Sequence, residues 1–95
     1  MKVITNKDLK KVYKRTVNNK MHVYGDTDID NKIMRVNKKK NKKSPNKGEL
    51  LDTIVHEAHH AKHPRMHEKT VRKITKKLTK MLTKKAKRSY YSLFH

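Results

Sequence analysis

The chain has no cysteine, no tryptophan, one phenylalanine, two glycines and two prolines. Without cysteine there is neither a disulfide framework nor a thiolate metal site, so any metal must be held by histidines and carboxylates. Hydrophobic residues make up only 33% of 95 residues. This predicts a thin core in a single domain, residues 1–95, near the low end of sizes that fold without staples. A bound metal would add its ligation free energy to such a fold. Long apolar runs are lacking as well. The opening Met1-Lys2-Val3-Ile4-Thr5-Asn6-Lys7-Asp8 reads as neither signal peptide nor membrane span, which leads us to expect a soluble, cytoplasmic protein with no membrane partner.

Acidic residues are scarce. Eight Asp and Glu stand against 27 Lys and Arg, for a net charge of +19. Such a charge attracts polyanions, nucleic acid first among them. The basic run Lys38, Lys39, Lys40, Lys42 and Lys43 is the candidate contact, suited to sequence-independent binding of phosphates. Lys far outnumbers Arg and Asn is plentiful, which an AT-rich genome also produces, whereas base-specific readers favour Arg.

Against this background one stretch carries chemistry: His56-Glu57-Ala58-His59-His60. On a helix the spacing His56-Glu57-x-x-His60 sets two imidazoles one turn apart on one face, able to chelate one metal ion, with a carboxylate beside a metal-bound water. Asn46-x-x-Glu49 is a capping-box signal that starts this helix near Lys47, and Pro64 ends it by about His63. Leu50, Leu51, Ile54, Val55, Ala58 and Ala61 form its apolar side. At ~100° per residue, His56 and His60 lie nearly opposite the middle of that side and Glu57 at its edge. The histidines therefore face a partner across a gap, or solvent.

Around that helix the pattern predicts an α+β domain. Thr5-Asn6-Lys7-Asp8 resembles a capping box, and Leu9, Val12, Tyr13 and Val17 follow at helical spacing, predicting a helix from about Asn6 to Asn18. Met21–Tyr24 and Lys32–Asn37 read as two strands of a hairpin with a longer loop, the Asp-rich connection Asp26–Asp30 supplying turn chemistry. That connection matches the first ligand positions of a calcium loop, but Asn31 and Asn37 stand where its glycine and closing glutamate belong. Lys38 through Asn46 reads as a basic, mobile loop. Val71, Ile74, Leu78, Met81 and Leu82 predict a last amphipathic helix from His67 or Glu68 to Arg88, and Tyr90, Tyr91, Leu93 and Phe94 a tail folded back as apolar cover.

Glu68 precedes Val71 by one turn and so points from the inward face of that helix, available as a third metal ligand. His67 is the alternative third ligand. His59 and His63 read as solvated surface histidines. Asp52, one turn before His56, is a candidate to orient its imidazole. For an oxyanion the sequence offers Tyr24, Tyr13 or a lysine without choosing among them.

The run Leu51-Asp52-Thr53-Ile54-Val55-His56-Glu57-Ala58-His59-His60-Ala61, followed by Pro64 and Glu68-Lys69-Thr70-Val71, resembles the small HExxH proteins common in phages and prophages, grouped with SprT-like or gluzincin-type metallopeptidases. The likeness covers roughly residues 50 to 80 and departs at position 59, where an apolar residue is usual. It implies a minimal zincin fold: helix, short sheet, active-site helix, closing helix. It also implies one zinc ion on His56, His60 and Glu68, Glu57 as catalytic base, a peptide or protein substrate, and, if the chain is phage-encoded, the cytoplasm of the host. Two readings compete with a peptidase. One is a basic nucleic-acid-binding protein with a structural metal, and the other a phage interaction protein whose HExxH is a relic.

Overall fold

The computed structural model describes Ile4, Leu9, residues 13–43 and residues 49–94. Within them the chain is α+β, with three short strands and four helices. Strands β1 (Lys14–Val17), β2 (Gly25–Asp28) and β3 (Ile33–Val36) form one sheet in the order β1-β3-β2. β1 lies parallel to the central β3, and β2 antiparallel to it. Met34 and Val36 alternate on β3 with no exposed surface, the period of a strand with one face on the core.

Helices α1 (Lys38–Lys43), α2 (Glu49–Lys62), α3 (Glu68–Met81) and α4 (Lys84–Ser92) come after the sheet in the chain. α2 is the axis of the fold and packs against α1, α3, α4, β2 and β3. Leu51, Ile54, Val55, Ala58 and Ala61 join the core from it, with Val71 and Leu78 from α3 and Tyr90 from α4. No helix among the described residues is long and apolar enough to cross a membrane.

The expected motif helix and the expected strand at 32–37 are present with closely similar bounds. Several other expectations are corrected. The helix expected to reach Asn18 has given way to β1 by Lys14, after a helical bond from the Tyr13 amide to the Leu9 carbonyl. Thr16 and Val17 suit a pleated surface, and pairing with Arg35 and Val36 outweighs the local helical spacing. The rest of that helix lies outside the described residues.

The strand expected at Met21–Tyr24 is displaced to Gly25–Asp28, inside the Asp-rich stretch expected to be a turn. Asp26 is tolerated there because its carboxylate takes two 2.7 Å bonds from Arg35, directly opposite on β3. Turn chemistry is confined to the connection from β2 to β3. There Asp28 accepts from the backbone and side-chain amides of Asn31, and Lys32 takes up a left-handed φ of 57°.

The basic segment expected to be a mobile loop is helical over Lys38–Lys43; residues 44–46 lie outside the described set. Asn37 caps α1 by accepting from the Lys40 amide at 2.8 Å. Asn41, which interrupts the basic run in the sequence, is buried and holds α1 down. Its amide donates to the carbonyls of Tyr24 and Asn37, and its oxygen accepts from the Thr53 hydroxyl of α2 at 2.9 Å.

The single C-terminal helix expected to Arg88 is two helices. Leu82 is extended (φ −69°, ψ 134°), and Thr83 caps α4 by accepting from the Ala86 amide. This reversal carries Tyr90, Leu93 and Phe94 back into the core, while Met81, expected inward, is 76% exposed at the break. Tyr91, expected as apolar cover, is exposed too. The Tyr90 hydroxyl accepts from the Ile4 amide at 3.1 Å, tying the two ends of the chain together.

β2 crosses α2 closely, and Gly25 is the reason it can. A Cβ there would stand 2.6 Å from Thr53 Cγ2 and 2.9 Å from the Arg35 carbonyl oxygen. Gly25→Ala should therefore cost about 1–3 kcal/mol, read as a lower denaturant midpoint. Asn41→Leu should cost about 1–3 kcal/mol by stranding the buried Thr53 hydroxyl, the Tyr24 carbonyl keeping the Asn37 amide at 2.8 Å. Midpoints equal to wild type would contradict both assignments.

Candidate metal centre

α2 sets His56 and His60 one turn apart, and the turn at Pro64 brings the first residue of α3, Glu68, across to them. The imidazoles meet with their Nε2 atoms 3.0 Å apart. Glu68 Oε1 lies 2.9 Å from His56 Nε2, and Glu68 Oε2 lies 2.5 Å from His60 Nε2. Both histidine side chains are largely buried, at 19% and 18% exposure. Burial holds the His56 pKa below the usual imidazole range, opposed by the Glu68 carboxylate. Burial pushes Glu68 upward, but His56 and His60 outweigh it and hold that carboxyl below its ordinary value. A neutral imidazole beside an ionised carboxylate is the form in which both groups ligate a metal.

The donor set fits a divalent ion. One nitrogen of each imidazole and one carboxylate oxygen gather within 4.8 Å of one another. Bonds of 2.0–2.1 Å to a tetrahedral ion separate its ligands by roughly 3.3 Å, somewhat wider than the 3.0, 2.9 and 2.5 Å here, a difference that small side-chain rotations cover. Among the described residues this is the one such group of three or more. His67 stays outside it, exposed and at the capping position of α3.

Glu57 points to the sheet side of α2 and is 7% exposed. The Thr27 hydroxyl donates to its Oε1 at 2.8 Å and approaches its backbone carbonyl at 3.1 Å. Burial raises its pKa to about 7; the Thr27 bond pulls down, while Asp26 and Glu68 push up. The result is a carboxylate near neutrality beside the three donors, the condition a general base needs. Sequence reasoning misses Thr27 because the Asp-rich segment around it has the composition of a turn. Pairing Asp26 with Arg35 is the signal that places it on a strand facing the helix.

His59 corrects another expectation. It is buried, at 4% exposure, and its Nε2 has no hydrogen-bond partner. Burial first, then His63, His56 and His60, pushes its pKa down to about 4. Its ring stacks on that of His63, with centroids 6.1 Å apart. Only His63 is the exposed residue expected. α2 is covered on more than its apolar side, so a helical wheel understates its burial.

Asp52 is exposed and makes no hydrogen bond to His56. Tyr24 lines the cleft in front of His56 and Glu57, whereas Tyr13 is buried, which raises its pKa. Of the candidate phosphate contacts, Lys38 donates to the Phe94 carbonyl and Lys40 to that of His22, over the Tyr24 ring. Lys39 and Lys42 are exposed, and the Lys43 side chain lies outside the described set.

Compared with protein-family models, curated proteins and solved structures, the chain matches none.

Competition with a chromophoric chelator should find one zinc per wild-type chain. Glu68→Ala should weaken that binding at least ~tenfold, and His67→Ala should leave it unchanged. Zinc at a hundredfold excess over Kd should add about 2.7 kcal/mol of stability. A loss on His67→Ala with none on Glu68→Ala would reverse the ligand assignment.

Proposed function

We propose that this protein is a zinc-dependent hydrolase of peptide bonds, with the ion held by His56, His60 and Glu68. The observation that carries the proposal is the buried Glu57 carboxylate, fixed by Thr27 beside three convergent donors. Zinc in this position supplies a Lewis acid that polarises a carbonyl and makes water more acidic. The chain's own residues do the rest. Glu57 takes a proton from the attacking water and passes it to the leaving amine, which requires a pKa near the working pH. A hydroxyl has a single proton, and the shorter bond commits that of Thr27 to Oε1 when Glu57 is ionised. Oε2, without a hydrogen bond among the described residues, is left to exchange the proton. Thr27 is thus a positioning residue for Glu57.

One observation favours a second reading, a nucleic-acid-binding protein with a structural metal. From Lys69 to His95 the sequence holds no acidic residue, and Lys and Arg fill most exposed positions of α3 and α4. Since Lys38 and Lys40 are turned inward to backbone carbonyls, phosphate contact would fall to α3 and α4. That reading predicts DNA binding with a steep salt dependence that survives chelation. Weak binding at moderate salt would count against it.

For the hydrolase, Glu57→Gln should retain zinc and lose at least ~10²-fold in kcat, the scale of general acid–base catalysis. Thr27→Val should retain zinc and lower kcat/KM by roughly tenfold. Removing the bond that lowers the Glu57 pKa should also move the acid limb of the pH profile to higher pH. A zinc-loaded wild type that cleaves nothing in a broad peptide library would overturn the proposal.

A further inference from the structure

Two clefts meet at Gly25, His56, Glu57 and Glu68, and their remaining walls differ in character. The first, of about 590 Å³, runs between Tyr24 and α3 and is walled there by Arg72, Thr75 and Lys76. The second, of about 470 Å³, runs towards the β2–β3 turn and is walled by Ile29, Pro64 and Met66. Its acidic member, Asp26, is already neutralised by Arg35.

We infer that the first cleft is a carboxylate subsite, so that the protein selects peptides carrying a carboxylate on one side of the scissile bond and an apolar residue on the other. This rests on the hydrolase reading for the place of the scissile bond. Arg72 and Lys76 are one turn apart on α3, so both cations serve the same wall. Arg72 is 74% exposed and is held by one long ion pair, Nη2 to Glu68 Oε1 at 3.5 Å, which leaves most of its guanidinium donors to the cleft. The acidic groups facing the cleft are few. Glu68 is half exposed but turned to the imidazoles, Glu57 is held by Thr27, and Asp52 is exposed and bonded to neither cation. Between Arg72 and Lys76, Thr75 is 5% exposed and its hydroxyl has no hydrogen-bond partner, an unused donor in the same wall. A guanidinium takes a carboxylate through two parallel bonds, which a neutral amide cannot reproduce. A chain-terminal carboxylate and an Asp or Glu side chain share this chemistry.

Binding of labelled short peptides to zinc-loaded Glu57→Gln protein, at physiological salt, tests the inference and separates the two sources. Matched peptides carry an apolar residue followed by Glu or Gln, with a free or amidated C-terminus. Peptides with a carboxylate should bind at least ~tenfold tighter than the fully neutral one. The Glu and free-terminus arms show which carboxylate is used. Arg72→Glu with Lys76→Glu should abolish the preference. Lys73→Glu with Lys77→Glu, the same charge change on exposed positions outside the cleft, should keep it. Equal losses from both pairs would assign the preference to the overall charge of +19 and overturn the subsite. Absence of any preference would overturn it as well. Wild-type protein that cleaves acidic and neutral peptides alike would leave the hydrolase standing and remove the subsite. A preference that persists in a protein that cleaves nothing would uphold the subsite and remove the hydrolase.

Discussion

Helix α2 has to serve two ends in 14 residues: it is the axis of the hydrophobic core and the carrier of two imidazoles and a carboxylate. Ile54, Val55 and Ala58 are wholly buried on it, yet Glu57, His59 and Thr53 are buried as well. Three of its neighbouring elements answer to that demand. β2 supplies Thr27 for Glu57 and a glycine where the two backbones come close. α1 supplies Asn41 for Thr53, and α3 supplies Glu68 for the histidines. Buried polar groups are mostly paired; here the partners of Glu57 and Thr53 tie β2 and α1 to α2, while His59 Nε2 has none.

The same constraint explains which parts of the fold are legible in the sequence. A capping box, a one-sided apolar stripe and a proline mark α2, and these are local signals. Glu68 is legible too, because three-residue spacing from Val71 places it inward at the head of α3. The features that escape are non-local. β1 exists because Arg15 and Thr16 find partners on β3, and β2 because Asp26 finds Arg35. The helical state of Lys38–Lys43 depends on a cap from Asn37 and on contacts of Asn41 with Tyr24 and Thr53. The break at Leu82–Thr83 has no glycine or proline to mark it; burial of Tyr90, Leu93 and Phe94 fixes it. His59 is misjudged for a related reason, since a wheel knows one face and α2 is enclosed on several.

Charge and a thin core together bear on why a metal suits this chain. A net charge of +19 on 95 residues works against a compact state through self-repulsion. The two imidazoles and the carboxylate they face form a donor set that exists only in the folded arrangement, so an ion held there would couple ligation to folding. In this respect the proposed site would add to the stability of the fold as well as supply its proposed chemistry, and Glu68 already links α3 to α2 through the two histidines.

The claim on which all of this turns is that His56, His60 and Glu68 together ligate one ion. X-ray absorption at the zinc edge of the loaded protein addresses it most directly. The geometry predicts a four-ligand nitrogen and oxygen shell near ~2.0 Å with the scattering signature of two imidazoles. A shell of three or more imidazoles, or a six-oxygen shell with none, would contradict it.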